Sequence, residues 1–249
     1  MVKKYFSSLL AMLWILSPML ATAQSPTLSE AWVEAIQRRD VHQLTDLLRA
    51  GFADVNLANN QGKTALMVAA QSADHPLCEA LITAGARINV KNDNGGTPLM
   101  HAAVGGNIRI VRAMLEAGAQ PDVRAVNGWT ALALASAKGH IAVMDQLLLV
   151  GADPNMGDVF GWTPLMHAVE QRRPDAVLLL LNRPDVAVDE RNTDGVTALH
   201  RAVAQGFAKI SRMLVQAGAS VDLKDESGRT PADYARETGQ VEILNDLSS

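Results

Sequence analysis

An all-α solenoid, made of stacked helix-turn-helix units joined by β-hairpin-like loops, is the fold this sequence predicts, and three observations predict it. A threonine recurs at Thr64, Thr97, Thr130, Thr163, Thr197 and Thr230, at spacings of 33, 33, 33, 34 and 33 residues. A second column, Asn56, Asn89, Asp122, Asn155, Asp189 and Asp222, keeps the same spacings. A glycine closes the apolar run of most units, at Gly51, Gly85, Gly118, Gly151 and Gly218. A fixed period of this length marks a repeat array. One helix pair of this size cannot bury its own apolar face, so neighbours must stack and share a core.

The chain opens with Met1-Val2-Lys3-Lys4, then an apolar run from Tyr5 to Leu16, then Ala21-Thr22-Ala23. A basic start, an apolar middle and small residues before a cleavage point describe a secretory signal peptide over 1–23, cut after Ala23. The apolar run is shorter than the roughly 20 residues needed to span a bilayer. The domain 24–249 is therefore expected to be exported and free of the membrane, and it is expected to be a monomer. Without Lys3 and Lys4 it carries 20 basic against 26 acidic side chains, a net charge of -6, which speaks against nucleic acid as a partner. Cys78 is the only cysteine, so no intramolecular disulfide can form. It stands in register with Val111, Met144 and Val177, which makes it a buried small hydrophobe.

Within each unit the threonine lies two residues after a glycine and opens a short motif: Thr64-Ala65-Leu66-Met67, Thr97-Pro98-Leu99-Met100, Thr163-Pro164-Leu165-Met166, Thr197-Ala198-Leu199-His200. Threonine suits a helix N-cap, proline the first helical position, and the Leu and Ala residues that follow give a thin apolar face. After a break such as Gly105-Gly106-Asn107 a second helix follows, Ile108 to Leu115, with apolar residues at helical spacing. The closing glycine supplies the left-handed conformation that ends a helix. This pattern resembles the ankyrin repeat over residues 28 to about 247. It divides the domain into an N-terminal helix pair (28–56), five repeats (57–222) and a C-terminal repeat or cap (223–249). The terminal units depart from the consensus through Arg38, Arg39 and Asp40 at one end and Asp233 and Arg236 at the other. The fourth threonine-to-threonine step is irregular: Arg172-Arg173-Pro174 replaces the glycine turn, and Asn182-Arg183-Pro184-Asp185 replaces the closing glycine.

Catalytic chemistry finds no pattern here, and no catalytic residue, cofactor or metal is expected. There is no phosphate-binding glycine loop, no Gly-x-Ser-x-Gly and no His-Glu-x-x-His. The repeat accounts for most of His42, His75, His101, His140, His167 and His200. His101 and His167 are equivalent positions two units apart, about 20 Å at the usual interhelical distance, too far to share an ion. The resemblance gives His200 a structural hydrogen-bonding role. Asp93, Asp158, Asp194 and Asp225 lie in the turns, where carboxylates satisfy local backbone groups.

The ankyrin resemblance also implies projecting finger loops that meet a protein partner. The residue before each threonine reads Lys63, Gly96, Trp129, Trp162, Val196 and Arg229. With neighbouring finger positions this assembles Val126, Trp129, Val159, Phe160, Trp162 and Val196 into one apolar cluster, flanked on the first helices by Lys138, Glu170 and Gln171. The mature chain has seven aromatic residues, three of them in this patch, on turns that would ordinarily be polar. Two expectations follow, exposed aromatics that anchor a partner or tryptophans folded onto neighbouring hairpins. A signal peptide followed by such repeats resembles bacterial periplasmic ankyrin proteins. That implies an accessory, stabiliser or inhibitor of a partner protein, in oxidative-stress protection or as an immunity-type inhibitor of a cell-wall or lipid hydrolase.

Overall fold

A computed structural model of the chain describes residues 26–248, and the predicted signal peptide lies outside them. The described residues form fourteen helices and no strand, in seven consecutive pairs. The pairs are α1 (Leu28–Arg38) with α2 (Val41–Arg49), α3 (Ala65–Gln71) with α4 (His75–Thr83), α5 (Pro98–Gly105) with α6 (Ile108–Glu116), and α7 (Ala131–Lys138) with α8 (Ile141–Leu149). They continue as α9 (Pro164–Glu170) with α10 (Pro174–Leu181), α11 (Ala198–Ala204) with α12 (Ala208–Gln216), and α13 (Pro231–Glu237) with α14 (Val241–Ser248). From α3 onward first helices pack on first helices of the next unit and second on second, while α2 packs on α3, so the predicted all-α solenoid is the fold observed.

The threonine column works as helix caps. The side chains of Thr64, Thr97, Thr130, Thr163, Thr197 and Thr230 each accept a hydrogen bond from the backbone N–H three residues on, at 3.2 to 3.4 Å. In five of the six the residue itself is buried, so water could not replace the bond. Pro98, Pro164 and Pro231 occupy the first helical position, where a missing N–H costs nothing. The first helices are enclosed almost all round: Ala65 to Ala70 of α3 are six consecutive buried residues. The second helices are amphipathic. In α6, Ile110, Val111 and Met114 are buried while Arg109, Arg112 and Glu116 face water. Cys78 is buried, and burial pushes its thiol up to about 12, with Asp74 and Glu79 adding to the effect; it is inert.

The Asn/Asp column ties each unit to the next. Asn89 accepts from the Gln120 backbone N–H at 3.0 Å and donates to the Gly118 carbonyl at 2.9 Å. Asn56 bonds Arg87 and Gly85 in the same way, and Asp122 accepts from Asp153. Asn155 reaches Ala187 and the Asp185 carbonyl, so the irregular unit keeps the bridge, with Asp185 standing where others have glycine. Its inter-helix turn is regular as well. Arg172 takes the left-handed conformation, φ +51°, that Gly106, Gly139, Gly206 and Gly239 take in the equivalent turns, as do Ala73 at +57° and Arg39 at +58°. The altered sequence there changes side chains, not backbone. The array ends in Trp32 stacked on Phe52 at 4.6 Å on one side, and on the other in Arg229, whose Nη2 donates to Tyr234 Oη at 2.6 Å.

The first helices approach so closely that Gly105 faces the Ala70 carbonyl, and a Cβ at Gly105 would stand 2.3 Å from that oxygen. Alanine would add up to about 1 kcal/mol of helix propensity, but overpacking against immovable backbone costs about 1–3 kcal/mol. Gly105→Ala is therefore expected to lower the urea midpoint followed by circular dichroism. An unchanged or raised midpoint would mean that α3 and α5 can separate.

Candidate protein-binding face

The finger loops are built by side-chain oxygens that gather backbone amides. Asn59, Asn92, Asp158, Asn192 and Asp225 each accept, through Oδ1, from the N–H groups two and four residues on. Asp158 thereby holds Phe160 at 2.9 Å and Trp162 at 3.0 Å. Such bonds close tight turns without secondary structure of their own. Ala125 stands at this place in the third loop, where Asn127 accepts from the Trp129 N–H at 3.3 Å instead. Successive fingers are then joined by single backbone bonds: Val126 N–H to the Asn94 carbonyl at 2.9 Å, Val159 to Asn127 at 3.1 Å, and Thr193 to Phe160 at 2.9 Å. The loops are hairpin-like in course and laid side by side, but no strand forms.

On this frame the predicted cluster divides in two. Val126, Val159 and Phe160 are exposed, at 74%, 52% and 63%. Trp129, Trp162 and Val196 are half-buried. The two tryptophan rings lie on either side of His167, a residue of α9: Trp129 at 4.0 Å between centroids and Trp162 at 5.8 Å. The Arg201 guanidinium stands 5.6 Å from the Trp162 ring and is held in turn by Glu170, its Nη2 donating to Oε1 at 2.7 Å. Both sequence expectations thus meet in one ladder: the tryptophans are packed, yet each keeps an open edge beside the exposed Val126, Val159 and Phe160. Glu170 is committed to this internal pair, whereas Lys138 and Gln171 are exposed on the ends of the first helices.

His167, Arg201 and Asp158 were not among the predicted contacts. His167 and Arg201 lie in a column four residues after each threonine, Val68, His101, Leu134, His167, Arg201 and Tyr234, which interleaves with the finger column of the preceding unit, while Asp158 belongs to the turn column that begins with Asn59. Reading the two columns together would have found them. His167 Nε2 lies 3.3 Å from Asp158 Oδ2 inside the core edge. Burial lowers the pKa of this imidazole, and nearby Asp158 and Glu170 only partly restore it. The Arg201 hydrogen bond holds Glu170 below the usual carboxylate range.

Beside the ladder lies a hollow of about 410 Å³. It exists because Gly96, at the finger position that carries Lys63 on one side and Trp129 on the other, has no side chain. His101, Leu134 and Met100 line it together with Gln71, Val126 and Trp129. His200 behaves as expected of a structural residue: it is fully buried, with Nδ1 2.9 Å from Thr197 Oγ1 and Nε2 3.2 Å from the Arg229 carbonyl oxygen. Among the described residues no group of His, Cys, Asp and Glu could hold a metal ion, and no helix is long and apolar enough to cross a membrane.

Burial, with smaller contributions from Lys63 and Arg39, pushes the His101 pKa down to about 4 from an ordinary 6.5. An unfolded chain takes up that proton near pH 6.5 while the folded one refuses it until about 4, so stability is full above 6.5 and falls with acidification between those limits. The loss amounts to about 3 kcal/mol at most. Urea midpoints measured from pH 7 to pH 4 should fall, and His101→Gln should flatten that slope. An unaltered slope would place the acid sensitivity elsewhere.

The sequence model of a family described as "Ankyrin repeats (3 copies)" matches residues 32–125, 117–190 and 185–249. Segments of other proteins are similar too. Potassium channel AKT1 of Oryza sativa subsp. indica is 39% identical over 56 residues, 22% of this chain and 6% of the channel. Diacylglycerol kinase zeta of Rattus norvegicus is 35% identical over 80 residues, 32% of this chain and 9% of the kinase. Protein phosphatase 1 regulatory subunit 27 of Mus musculus is 36% identical over 64 residues, 26% of this chain and 42% of that protein. The chain thus spans well under two thirds of these relatives. Among solved structures, the ankyrin repeat domain of Bcl-3 superposes with a TM-score of 0.71 at 27% identity, covering 88% of this chain and 98% of that domain. The human ASB11 ankyrin repeat domain gives 0.74 at 25%, covering 90% and 97%. With the capped helix pairs, the finger loops and the family match running from residue 32 to 249, the chain belongs to the ankyrin-repeat family.

Proposed function

We propose that the mature chain is an exported, periplasmic protein-binding module, an accessory, stabiliser or inhibitor of a partner in the same compartment, and that it binds through the finger face around Trp129 and Trp162. The observation that carries this reading is the exposure of Val126, Val159 and Phe160 on loops fixed by side-chain and backbone hydrogen bonds. Apolar side chains on preorganised turns contribute nothing to the core, and such patches serve contact with another protein. Ankyrin scaffolds are typical non-catalytic interaction domains, in keeping with this. The basic, apolar and small-residue order of the first 23 residues supports export.

A pull-down from periplasmic extract with the mature protein tests it. Val126→Ser with Phe160→Ser should abolish capture of the partner without moving the thermal midpoint, because both side chains are exposed. Trp129→Ala with Trp162→Ala should also abolish capture while keeping the helical signal. That pair should in addition lower stability by about 1–3 kcal/mol, since each ring packs on His167. Partner capture that survives both double substitutions would overturn the assignment of this face.

A further inference from the structure

We propose that the hollow over His101 receives an acidic segment of the partner protein, with an apolar side chain set against Trp129 and Leu134 and a neighbouring carboxylate directed to Lys63 and Arg39. The inference rests on the binding role proposed for the finger face and adds the chemistry of what binds there. Its first support is shape. Gly96 leaves about 410 Å³ between two fingers, closed on one side by Trp129, Val126 and Leu134 and on the other by Gln71 and Asn92. An amide wall opposite an aromatic wall suits a side chain that is apolar at one edge and polar at the next.

Charge is the second support. Lys63 Nζ donates to Gln71 Oε1 at 3.2 Å, which places its ammonium on the rim of the hollow. Burial and, after it, the nearby Arg39 charge lower the Lys63 pKa, so a second cation stands in the neighbourhood of the first. Neither has a carboxylate within 4.0 Å among the described residues. Arg39 is exposed at the end of α1. Neighbouring like charges repel, and an anion arriving beside them relieves that cost. The exposed Lys138, Arg172 and Arg173, at the end of α7 and in the turn after α9, give the first-helix face three more cations. Of the acids beside the ladder, Glu170 is paired with Arg201 and Asp158 is buried against His167 and the finger-loop amides.

The net charge of -6 on the mature chain decides between anionic partners. A long polyanion would meet the negative field of the whole molecule, whereas a short acidic stretch meets only the local cations. The exposed Val126, Val159 and Phe160 beside the hollow extend the contact beyond the reach of a small anion, which points to a protein segment.

A random peptide library displayed on phage and selected on the mature protein supplies the probe, and the selected peptides are then titrated by fluorescence anisotropy. Winners should be rich in Asp and Glu beside an aromatic or aliphatic residue, and should weaken as salt rises. They should lose at least about tenfold in affinity to Lys63→Glu with Arg39→Glu, to Gly96→Leu, and when their own acids are changed to amides. Gly96 has ordinary backbone geometry, and the nearest neighbour of a Cβ added there is the Asn92 side chain, at 3.2 Å. Should a variant lose its helical signal, Lys63→Gln and Arg39→Gln replace it in the titration. Winners without acidic bias, or bound equally by the charge-reversed protein, would overturn the proposal. So would a thymidine oligonucleotide that binds as tightly as the peptides and is lost in the same variants. Partner capture abolished by Val126→Ser with Phe160→Ser but unaffected by the charge reversal would leave the binding face standing and remove only this inference.

Discussion

The close stacking of the first helices is the constraint from which the rest of this structure follows. Where Gly105 passes the Ala70 carbonyl there is no room for a methyl group, and six consecutive residues of α3 are buried. Helices this near to one another admit only Ala, Gly and a few Leu, Met and Val side chains at the seam, and they exclude water from the helix starts. The backbone amides there must find acceptors within the protein. The buried threonines provide them at the helix N-termini, and the Asn and Asp residues of the loops do so two and four residues ahead of themselves. One steric condition thus sets both the composition of the inner helices and the polar columns that recur between them.

The same spacing forces the finger loops into register, since each is anchored to a helix that cannot shift. Neighbouring loops exchange one backbone bond each, and the side chains of Trp129 and Trp162 fall over the first helix of the next unit. In the centre of the array this brings Trp129, His167, Trp162, Arg201 and Glu170 into a single stacked series. The series has two consequences. It cements three units, and it presents the edges of two large rings beside Val126, Val159 and Phe160. A surface of this kind loses little conformational entropy on binding, because its aromatic groups are already held.

Electrostatics separates this face from the rest of the molecule. The chain is acidic overall, yet Arg39, Lys63, Lys138, Arg172 and Arg173 are carried by the first helices and the turns that follow them, or by the loop resting on one. Burial lowers the pKa of His101, His167 and His200 alike, so these imidazoles act near neutral pH as polar, uncharged packing groups, not as added cations. The inter-helix turn keeps its left-handed residue even where glycine is replaced, and arginine at two such places, Arg39 and Arg172, puts charge on the surface without altering the backbone.

By itself the sequence determined the period, the number and order of the helix pairs, the capping threonines, the closing glycines and the cluster of finger residues around Trp129 and Trp162. All of these are local or strictly periodic properties, set by backbone preferences within one unit, so a single chain read along its length displays them. The role of the Asn and Asp column was invisible there, because Asn89 acts on Gln120, a residue of the following unit. Only the tertiary structure decided that the tryptophans lie half-buried on His167, that Glu170 belongs to Arg201, and that the missing side chain of Gly96 opens a hollow over His101. The physical reason is the same in each case. These contacts join positions about one repeat apart, and which atoms meet depends on how far the units turn and slide against one another, a quantity set by side-chain packing between units.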